Sequence, residues 1–415
     1  MTFSLTSENV FDYLIAQGLC TQEEQELSQI EAKSAKNFNL LVSSPSGRQL
    51  LVKQERYRRD GKTAGELLSE WRIQKFLQQF PELSHLRSWL PEVLHFDADN
   101  SIIIVNYLDD HPDLGTFYAQ EKVFPTAIAS SIGTILATIH RLTLDRQDYR
   151  DFFSVNPESG ASDTAFQQRF FNFARRLERI GPEVFGQVPA DGLKFFALYQ
   201  RYDSFRQAIA DLSNACEACC LTHNDFKLNN ILLPRDWEQA TLTAAPSSNS
   251  PIRLILIDWE RSSWGDPAFD LGSLIASYLR IWLRSLIVSK SIAIQDALRL
   301  VETPLELLQP SLAALASAYL ANFPQILERR PDFVQRVVQF AGLGLIQGIQ
   351  STLQYRKFFG NTEICMLQVA KSLLCRPQQS IPTVFGIQES EVRSQKSGVR
   401  EEPGHFCSKF KSKRY

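Results

Sequence analysis

Polar side chains interrupt an apolar run between residues 221 and 234, where the sequence reads LTHNDFKLNNILLP. Asp225 and Asn230 flank a turn in this run, and a second carboxylate, Asp258, follows the β-prone run PIRLILI that begins at residue 251. Carboxylate and amide oxygens are hard ligands that suit Mg²⁺, which takes few protein carboxylates because water and phosphate oxygens complete its shell. The remaining carboxylate is then free for proton transfer. The set indicates a magnesium site beside a carboxylate that can act as an acid or a base.

The same residues match the kinase template for phosphoryl transfer. HNDFKLNN fits the pattern H-x-D-x-x-x-x-N, and Asp258 stands about thirty residues further on, where the template places its second metal-binding Asp. The match extends through LIDWERSSWGDPAFDLGSL, and also through SIGTILATIHRL and IIIVNYLDD earlier in the chain. On these motifs, the chain resembles the aminoglycoside phosphotransferase and choline kinase-like superfamily over roughly residues 30–375.

The resemblance implies a role for each polar residue of the motifs. Asp225 would be the catalytic base, and Asn230 and Asp258 would be the magnesium ligands. His223 would be structural and would hydrogen-bond backbone near the catalytic turn. Asp270 would hold the catalytic loop from the start of a helix instead of touching substrate. The family often has glycine after the motif histidine, where this chain has asparagine.

The resemblance also implies a nucleotide site in the preceding lobe, with ATP, or alternatively GTP, as the phosphoryl donor. Lys53 in LLVKQ would contact the α and β phosphates. Glu70 would hold that lysine, and Glu66, one helical turn away, is the alternative. Tyr107 and Leu108 would form the hinge whose backbone reads the base.

The loop that covers the phosphates in such kinases is not evident in this sequence. The segment AKSAKNFNLLV, at residues 32–42, contains no glycine. Coverage of the phosphates would therefore depend on polar backbone or on Asn37.

The surrounding sequence patterns predict the elements that position these residues. An opening helix is expected around ENVFDYLIAQGL, with Ser7 as its N-cap and Gly18 as its stop. Residues 37–54 read as a hairpin, 63–80 as a helix, and 90–110 as two further strands. The pattern is helical over 121–212 and again over 271–375. We therefore predict an α+β, two-lobed, protein-kinase-like fold, with a small N-terminal antiparallel-sheet lobe and a larger, mainly helical C-terminal lobe.

The expected domain boundaries follow from these elements. Residues 1–30 would form a helical extension, 31–108 the nucleotide-side lobe, 109–375 the catalytic lobe with the acceptor site, and 376–415 a disordered basic tail. RDWEQATLTAAPSSNS, at 235–250, reads as an exposed excursion. The terminal KFKSKRY reads as a solubilising tail, in preference to a nucleic-acid or membrane contact.

Composition limits the class of protein and its partners. Of the 415 residues, 44% are hydrophobic and 22% are charged, which is typical of a globular chain. With a net charge of −2, the chain has no overall positive potential that would attract a polyanion, so we expect no nucleic-acid partner. The most apolar late stretch contains Arg280 and Arg284 and predicts no membrane span. Without a signal peptide or a cysteine framework, a cytoplasmic location is expected. The sequence identifies no protein partner.

Two clusters of residues can be interpreted either as ordinary structural features or as binding sites. The cysteines of NACEACCLTH could bind metal, but further ligands at suitable spacing are missing, so we interpret Cys216, Cys219 and Cys220 as small buried hydrophobes. The arginines of FQQRFFNFARRLERI, at 166–180, could bind an anionic substrate, although a solvated helix face is the more common arrangement.

Together, these patterns predict transfer of a γ-phosphoryl group to a small-molecule hydroxyl. Asp270 follows Asp258 too closely for an activation segment of the protein-kinase type, which favours a metabolite over a protein as acceptor. Choline-like or thiamine-like compounds, sugars and amino-alcohols stay open, and HND and IDWE favour the choline kinase-like side. The basic insert at 160–212 argues against a polycationic antibiotic. The alternative is a nucleotide-binding regulatory protein that uses this scaffold without turnover.

Overall fold

The computed structural model describes residues 3–33, 36–154, 177, 190–239, 252–287, 296 and 299–387. The predicted α+β architecture is confirmed, because an antiparallel sheet near the N-terminus precedes a mostly helical remainder. The arginines of the 166–180 segment, residues 240–250 of the expected excursion and the terminal KFKSKRY lie outside the described residues.

The N-terminal lobe is built on one five-stranded sheet, in which every neighbouring pair is antiparallel. In spatial order, its strands are β1 (Gln29–Lys33), β2 (Phe38–Ser43), β3 (Gln49–Gln54), β5 (Ile102–Asn106) and β4 (Val93–Asp97). Helix α1 (Val10–Ala16) packs on one face, and helix α3 (Glu66–Gln79) packs on the other through Leu67. The predicted hairpin is therefore the centre of this lobe, and both of its faces are covered.

The opening helix differs from the prediction at its start. It begins at Val10, so Ser7 is not its N-cap, and the preceding turn is closed by Thr6 and Asn9. Each of these two residues accepts the other's backbone N–H through its side-chain oxygen, at 2.7 Å and 3.3 Å. The predicted stop is confirmed at Gly18, whose φ of 69° is the left-handed conformation that glycine adopts most readily. The short helix α2 (Gln22–Gln25) follows.

Helices dominate the C-terminal lobe and form its core. They are α4 (Leu114–Glu121), α5 (Thr126–Thr143), α6 (Gln147–Ser154), α7 (Ala190–Gln200), α8 (Asp203–Asn214), α9 (Pro267–Ser285), α10 (Leu305–Asn322), α11 (Gln325–Arg329), α12 (Phe333–Arg356), α13 (Asn361–Cys375) and α14 (Pro377–Phe385). The main contacts pair α5 with α10 and α9 with α12. Gly272 permits the second pairing, because a Cβ atom there would lie 2.6 Å from the Phe340 Cβ.

Helix α14 lies where the sequence patterns predicted a disordered tail from residue 376, and that boundary was wrong. Val384 and Phe385 are buried against the core of the helical lobe. The helix was missed because two prolines, Pro377 and Pro382, in a polar segment are typical of a loop. Pro377 occupies the first turn, where a missing N–H costs nothing, and Gly386, with φ of 69°, ends the helix.

Two short antiparallel strand pairs lie between α8 and α9 in the chain. Strand β6 (Cys220–Thr222) pairs with β9 (Ser263–Gly265), and β7 (Ile231–Leu232) pairs with β8 (Ile255–Leu256). Cys216, Cys219 and Cys220 are free and buried, as expected of small hydrophobes. Among the described helices, none alone has the length and apolarity to cross a membrane. Helices α5 and α6 meet these criteria only as a pair, and they are bent by 91°.

Candidate active site

Asp225, Asn230 and Asp258 lie together at one edge of the short strand pairs. The loop after β6 carries Asp225 and ends in a 3₁₀ helix (Leu228–Asn230), directly before β7. Strand β8 pairs with β7, and Asp258 leaves its end. The Ile257 N–H donates to the Asn230 carbonyl at 3.0 Å, which fixes the two segments side by side. This edge therefore collects the predicted base and both predicted metal ligands.

The Asp225 carboxylate is held in place from within its own loop. Its Oδ2 accepts from Lys227 Nζ at 2.7 Å, and Asn230 Nδ2 donates to the Asp225 carbonyl at 2.9 Å. The other oxygen, Oδ1, is 4.0 Å from Arg261 Nη1, which is too long for a hydrogen bond. The side chain is 23% exposed, so an acceptor hydroxyl can reach it from the cleft.

Asp270 anchors the loop that carries Asp225, as the resemblance implied. This fully buried carboxylate in the first turn of α9 accepts from the backbone N–H groups of His223, at 2.7 Å, and Asn224, at 2.8 Å. His223 is likewise structural, since its Nε2 is 2.9 Å from the Ile257 carbonyl. Both side chains contact backbone groups and fix the turn that carries Asp225.

Asn224 explains the departure from the glycine that the family often has. Its φ is 62°, a left-handed conformation that asparagine tolerates better than most residues other than glycine. Its side-chain amide also donates to the Arg261 carbonyl at 3.0 Å and to Ser263 Oγ at 2.8 Å. Asparagine therefore adopts the required backbone conformation and also ties the loop to the segment after Asp258.

Lys53 lies between two carboxylates at the boundary of the lobes. Its Nζ is 3.3 Å from both oxygens of Glu70 and 3.2 Å from Asp258 Oδ1. Burial alone would lower the pKa of Lys53, but Glu70 and Asp258 outweigh it and raise that pKa above its usual range. Burial opposes ionisation of Asp258 as well, yet Lys53 brings the pKa of Asp258 below its usual value. The lysine is thus charged and positioned across the cleft.

The choice between the two helix carboxylates is resolved by their partners. Glu70 is buried and pairs with Lys53, whereas Glu66 pairs with Lys36. Asn37 follows Lys36, directly before β2, and is partly buried. Its predicted contact with phosphate stays a prediction.

Glu55 is a positioning residue that the sequence patterns did not single out. It follows β3 and is 3% exposed, and its carboxylate accepts from the backbone N–H groups of Ala64, Glu66 and Leu67 at 3.0–3.3 Å. Because Gly65, the N-cap of α3, has no side chain, Glu55 supplies the cap from a neighbouring strand. It thereby links the strand of Lys53 to the helix of Glu70.

Removal of this cap should loosen α3. We expect Glu55→Ala to lower the free energy of unfolding by about 1–2 kcal/mol, the usual cost of a lost cap, and to speed hydrogen exchange in the first turn of α3. Glu31→Ala is the matched control, since Glu31 is 64% exposed and pairs only with Lys33 among the residues described. Equal exchange of α3 amides in the two variants would contradict the capping role.

A cavity of about 310 Å³ opens beside Lys53 and Glu70. Its apolar wall comes from both lobes and consists of Leu51, Val105, Leu232 and Ile257. Tyr107 and Leu108, the predicted hinge, also line it. The Tyr107 N–H donates to the Gln49 carbonyl at 2.9 Å and so is already engaged. A cavity with apolar walls and a few polar groups is suited to a nucleobase.

Asp113 and Asn229, which both line the cavity, connect the start of α4 to the loop that carries Asp225. Asn229 Nδ2 donates to Asp113 Oδ1 at 2.8 Å, and Asp113 also caps α4 by accepting from Thr116 N at 3.0 Å. Asn229 is the first of the two adjacent asparagines, whereas the motif uses the second. The contact therefore holds this loop against the helix that follows the hinge.

Carboxylates crowd the edge near Asp258 and create a field suited to a cation. Glu260 is partly buried, and burial, reinforced by Glu66 and Asp258, raises its pKa to about 7. Asn230 is 2% exposed and, with the Asp258 carboxylate, offers the hard oxygens that Mg²⁺ takes. The residues present therefore fit a magnesium ion.

Lys227 and Arg261 are the other functional candidates that the motif analysis missed. Both stand inside the quoted motifs, Lys227 two residues after Asp225 and Arg261 after IDWE. The face on which either side chain lies could not be predicted, because the turns that direct them depend on contacts between β6, β9 and α9.

Comparison with known proteins finds similarity to small-molecule kinases over part of the chain. A family model described as choline/ethanolamine kinase matches residues 115–279. The chain is 24% identical, over 195 residues, to a 4-hydroxytryptamine kinase of Psilocybe cyanescens; the match covers 46% of each chain, so it spans about half the length of this curated relative. The family-model match agrees with the choline kinase-like side of the resemblance.

Two solved structures are similar in their overall chain path. The ADP-bound aminoglycoside phosphotransferase APH(2″)-Ib is 14% identical, with a TM-score of 0.43 over 89% of this chain and 99% of its own. The choline kinase LicA of Streptococcus pneumoniae is 16% identical, with a TM-score of 0.41 over 88% of this chain and 98% of its own.

Proposed function

We propose that this chain is a small-molecule kinase that transfers the γ-phosphoryl group of ATP, or alternatively of GTP, to a hydroxyl acceptor. One observation carries the proposal: Lys53, Glu70 and Asp258 form a connected ion-pair set at one end of the cavity, next to the loop that presents Asp225. The set connects the proposed phosphate contact, Lys53, with the proposed metal ligand, Asp258, across the two lobes.

In the proposed reaction, the nucleobase occupies the cavity and Lys53 contacts the phosphates. Because the Tyr107 N–H is bonded to Gln49, the backbone of Leu108 would read the base. Lys53 is oriented by Glu70, and its charge lies where phosphate oxygens accumulate negative charge in the transition state. Asp270 and His223 contribute indirectly, by holding the turn of the base in one conformation.

Asp225 would accept the proton of the acceptor hydroxyl. As the new bond between the acceptor oxygen and the γ-phosphorus forms, the bond from that phosphorus to the β,γ-bridging oxygen breaks and the nucleoside diphosphate leaves. The contact with Lys227 orients the carboxylate of Asp225 within its loop. Asn230 and Asp258 would hold magnesium, which supplies charge neutralisation at the phosphates when bound.

The compartment follows from the donor and the thiols. A nucleotide triphosphate donor and the free cysteines Cys216, Cys219 and Cys220 fit a cytoplasmic location, where thiols stay reduced. A small-molecule acceptor is proposed as the only substrate besides the nucleotide.

The metal assignment predicts magnesium-dependent stabilisation by nucleotide. ATP should raise the melting temperature of the wild type much more with Mg²⁺ than with EDTA, because the bound metal screens the repulsion between Asp258 and the phosphates. Asp258→Ala should remove the difference between the two conditions. Asp99→Ala, which removes an exposed carboxylate of the N-terminal lobe, should keep it. A full magnesium-dependent shift in Asp258→Ala would show that Asp258 is not a ligand.

Turnover itself is tested by a screen. Purified protein with Mg²⁺ and ATP is presented with a library of hydroxyl metabolites, and release of ADP is followed. Transfer to any of them excludes a regulatory scaffold without turnover. Nucleotide binding with no ADP release above background across the library would favour that scaffold instead.

A further inference from the structure

Two cationic side chains flank the proposed base. Lys227 Nζ is 2.7 Å from Asp225 Oδ2, and Arg261 Nη1 is 4.0 Å from Asp225 Oδ1. Among the residues that the structure describes, neither cation has a second carboxylate within ion-pair distance. Each carboxylate oxygen of the proposed base therefore has one cationic side chain near it.

Arg261 is fixed at its backbone and open at its guanidinium. It ends the 3₁₀ helix Trp259–Arg261, in which Trp259 is buried, and its carbonyl accepts from Asn224 Nδ2 at 3.0 Å. Its side chain is nevertheless 47% exposed. The 4.0 Å separation from Asp225 is longer than a hydrogen bond, so the guanidinium donors are available to a ligand next to the base.

Lys227 differs from Arg261 in this respect. Its Nζ makes a short hydrogen bond with Asp225, and its charge also helps to lower the pKa of Asp258. Lys227 is therefore committed to the catalytic carboxylates, whereas Arg261 lies at the mouth of the site with its donors spare. A planar guanidinium in this position matches the two oxygens of a carboxylate or phosphate.

We propose that Arg261 determines acceptor specificity by binding an anionic group of the substrate, so that the acceptor is a hydroxyl compound that carries a carboxylate or a phosphate. The inference rests on the proposed kinase function and names the substrate class for the same site. It reverses the leaning toward choline-like acceptors that HND and IDWE suggested, because Arg261 would repel an ammonium group placed next to Asp225.

The test uses acceptors that share one carbon skeleton and differ in charge. Glycerate and glycerol 3-phosphate are anionic, glycerol is neutral, and 3-amino-1,2-propanediol is cationic; every acceptor returned by the metabolite screen is assigned to one of these charge classes. We expect the anionic class to have the highest kcat/KM. A carboxylate preference and a phosphate preference are told apart by the first two compounds.

Arg261→Gln should raise KM for the preferred anionic acceptor about 10–100-fold, the range expected for a lost charge-assisted hydrogen bond. The KM for ATP should stay within about twofold, because Arg261 is assigned to the acceptor and not to the nucleotide. Arg206→Gln is the matched control, since Arg206 is 42% exposed and pairs with one carboxylate, Asp203, on α8. Arg261→Glu should shift the preference toward the cationic compound.

Several results would overturn the inference while leaving the kinase function in place. These are turnover confined to neutral or cationic acceptors, an unchanged acceptor KM in Arg261→Gln, or a loss confined to ATP affinity. If no compound is turned over, the proposed function is what fails. Calorimetric titration of glycerol 3-phosphate into the ADP-saturated protein then decides the inference. Binding that is lost in Arg261→Gln but kept in Arg206→Gln supports it, and absent or unchanged binding contradicts it.

Discussion

Asp225→Asn should reduce turnover at least about 10²-fold while leaving nucleotide affinity close to that of the wild type. A positioned general base contributes roughly 10²–10⁴ in rate, and the loose transition state of phosphoryl transfer places the effect toward the low end. Asparagine is nearly isosteric and can still accept from Lys227, whose bond to Asp225 Oδ2 is 2.7 Å. The loop should therefore keep its shape and lose only its proton acceptor.

Asn230→Ala provides the contrast. Asn230 is assigned to the metal, and its Nδ2 also donates to the Asp225 carbonyl at 2.9 Å. Its removal should weaken magnesium-dependent nucleotide binding as well as turnover, so the two variants should separate when affinity by calorimetry is plotted against kcat. Asp203→Asn is the control, because Asp203 is a carboxylate that pairs with a cation, Arg206, but lies on α8 and not in the loop that carries Asp225.

Two outcomes would contradict the assignment of the base. The first is wild-type turnover in Asp225→Asn, which would leave the loop as a binding scaffold. The second is an equal loss of nucleotide affinity in Asp225→Asn and Asn230→Ala, which would place Asp225 at the metal and not at the acceptor.

The local motif made the catalytic edge predictable from sequence. Asp225 and Asn230 are joined by a short turn that leads into the strand segment ILLP. The strand segment LILI before Asp258 has ILLP as its one plausible partner. Pairing of these two segments therefore brings the three residues together. The pairing of Ile231 with Leu256 and of Leu232 with Ile255 is the register that brings them together. Glu70 and Glu66 lie one helical turn apart on α3, and the ion pair of Lys53 with Glu70 confirms the choice of Glu70.

The residues that escaped prediction are defined by tertiary contacts. Glu55 caps a helix that begins about ten residues later in the chain, whereas a cap is sought in sequence directly before the first turn. Ser7 failed for the related reason that Thr6 and Asn9 closed the turn between themselves. Arg261 lies beside Asp225 only because Asn224 adopts a left-handed conformation and binds the Arg261 carbonyl. No periodicity in the sequence carries this information.

Helix α14 illustrates a different limit. A helix of nine residues with two prolines has a poor intrinsic propensity, and its formation depends on burial of Val384 and Phe385 at its end. Packing on the helical lobe supplies that burial, so propensity alone predicted the wrong boundary for the ordered chain.

Asp270→Asn should lower both stability and turnover, because one buried carboxylate holds the whole catalytic turn. Its two oxygens accept from the N–H groups of His223 and Asn224, at 2.7 Å and 2.8 Å. Asparagine can accept one of these bonds, but its amide group would face the other N–H. With hydrogen bonds to charged groups worth about 1.5–3 kcal/mol, we expect the free energy of unfolding to fall by about 2–4 kcal/mol.

The expected loss of turnover distinguishes a positioning residue from a purely structural one. Displacement of Asp225 by even about 1 Å can reduce the rate roughly 10²-fold, so kcat of the folded Asp270→Asn variant should fall well beyond the unfolded fraction, while KM for ATP changes little. Glu363→Gln is the matched control: Glu363 is also a buried carboxylate at a helix start, 8% exposed, and it accepts from the Gly360 N–H at 2.9 Å. It should lose stability without losing kcat. If kcat per folded molecule were the same in Asp270→Asn as in the wild type, the turn would be held by other contacts, and Asp270 would serve only to begin α9.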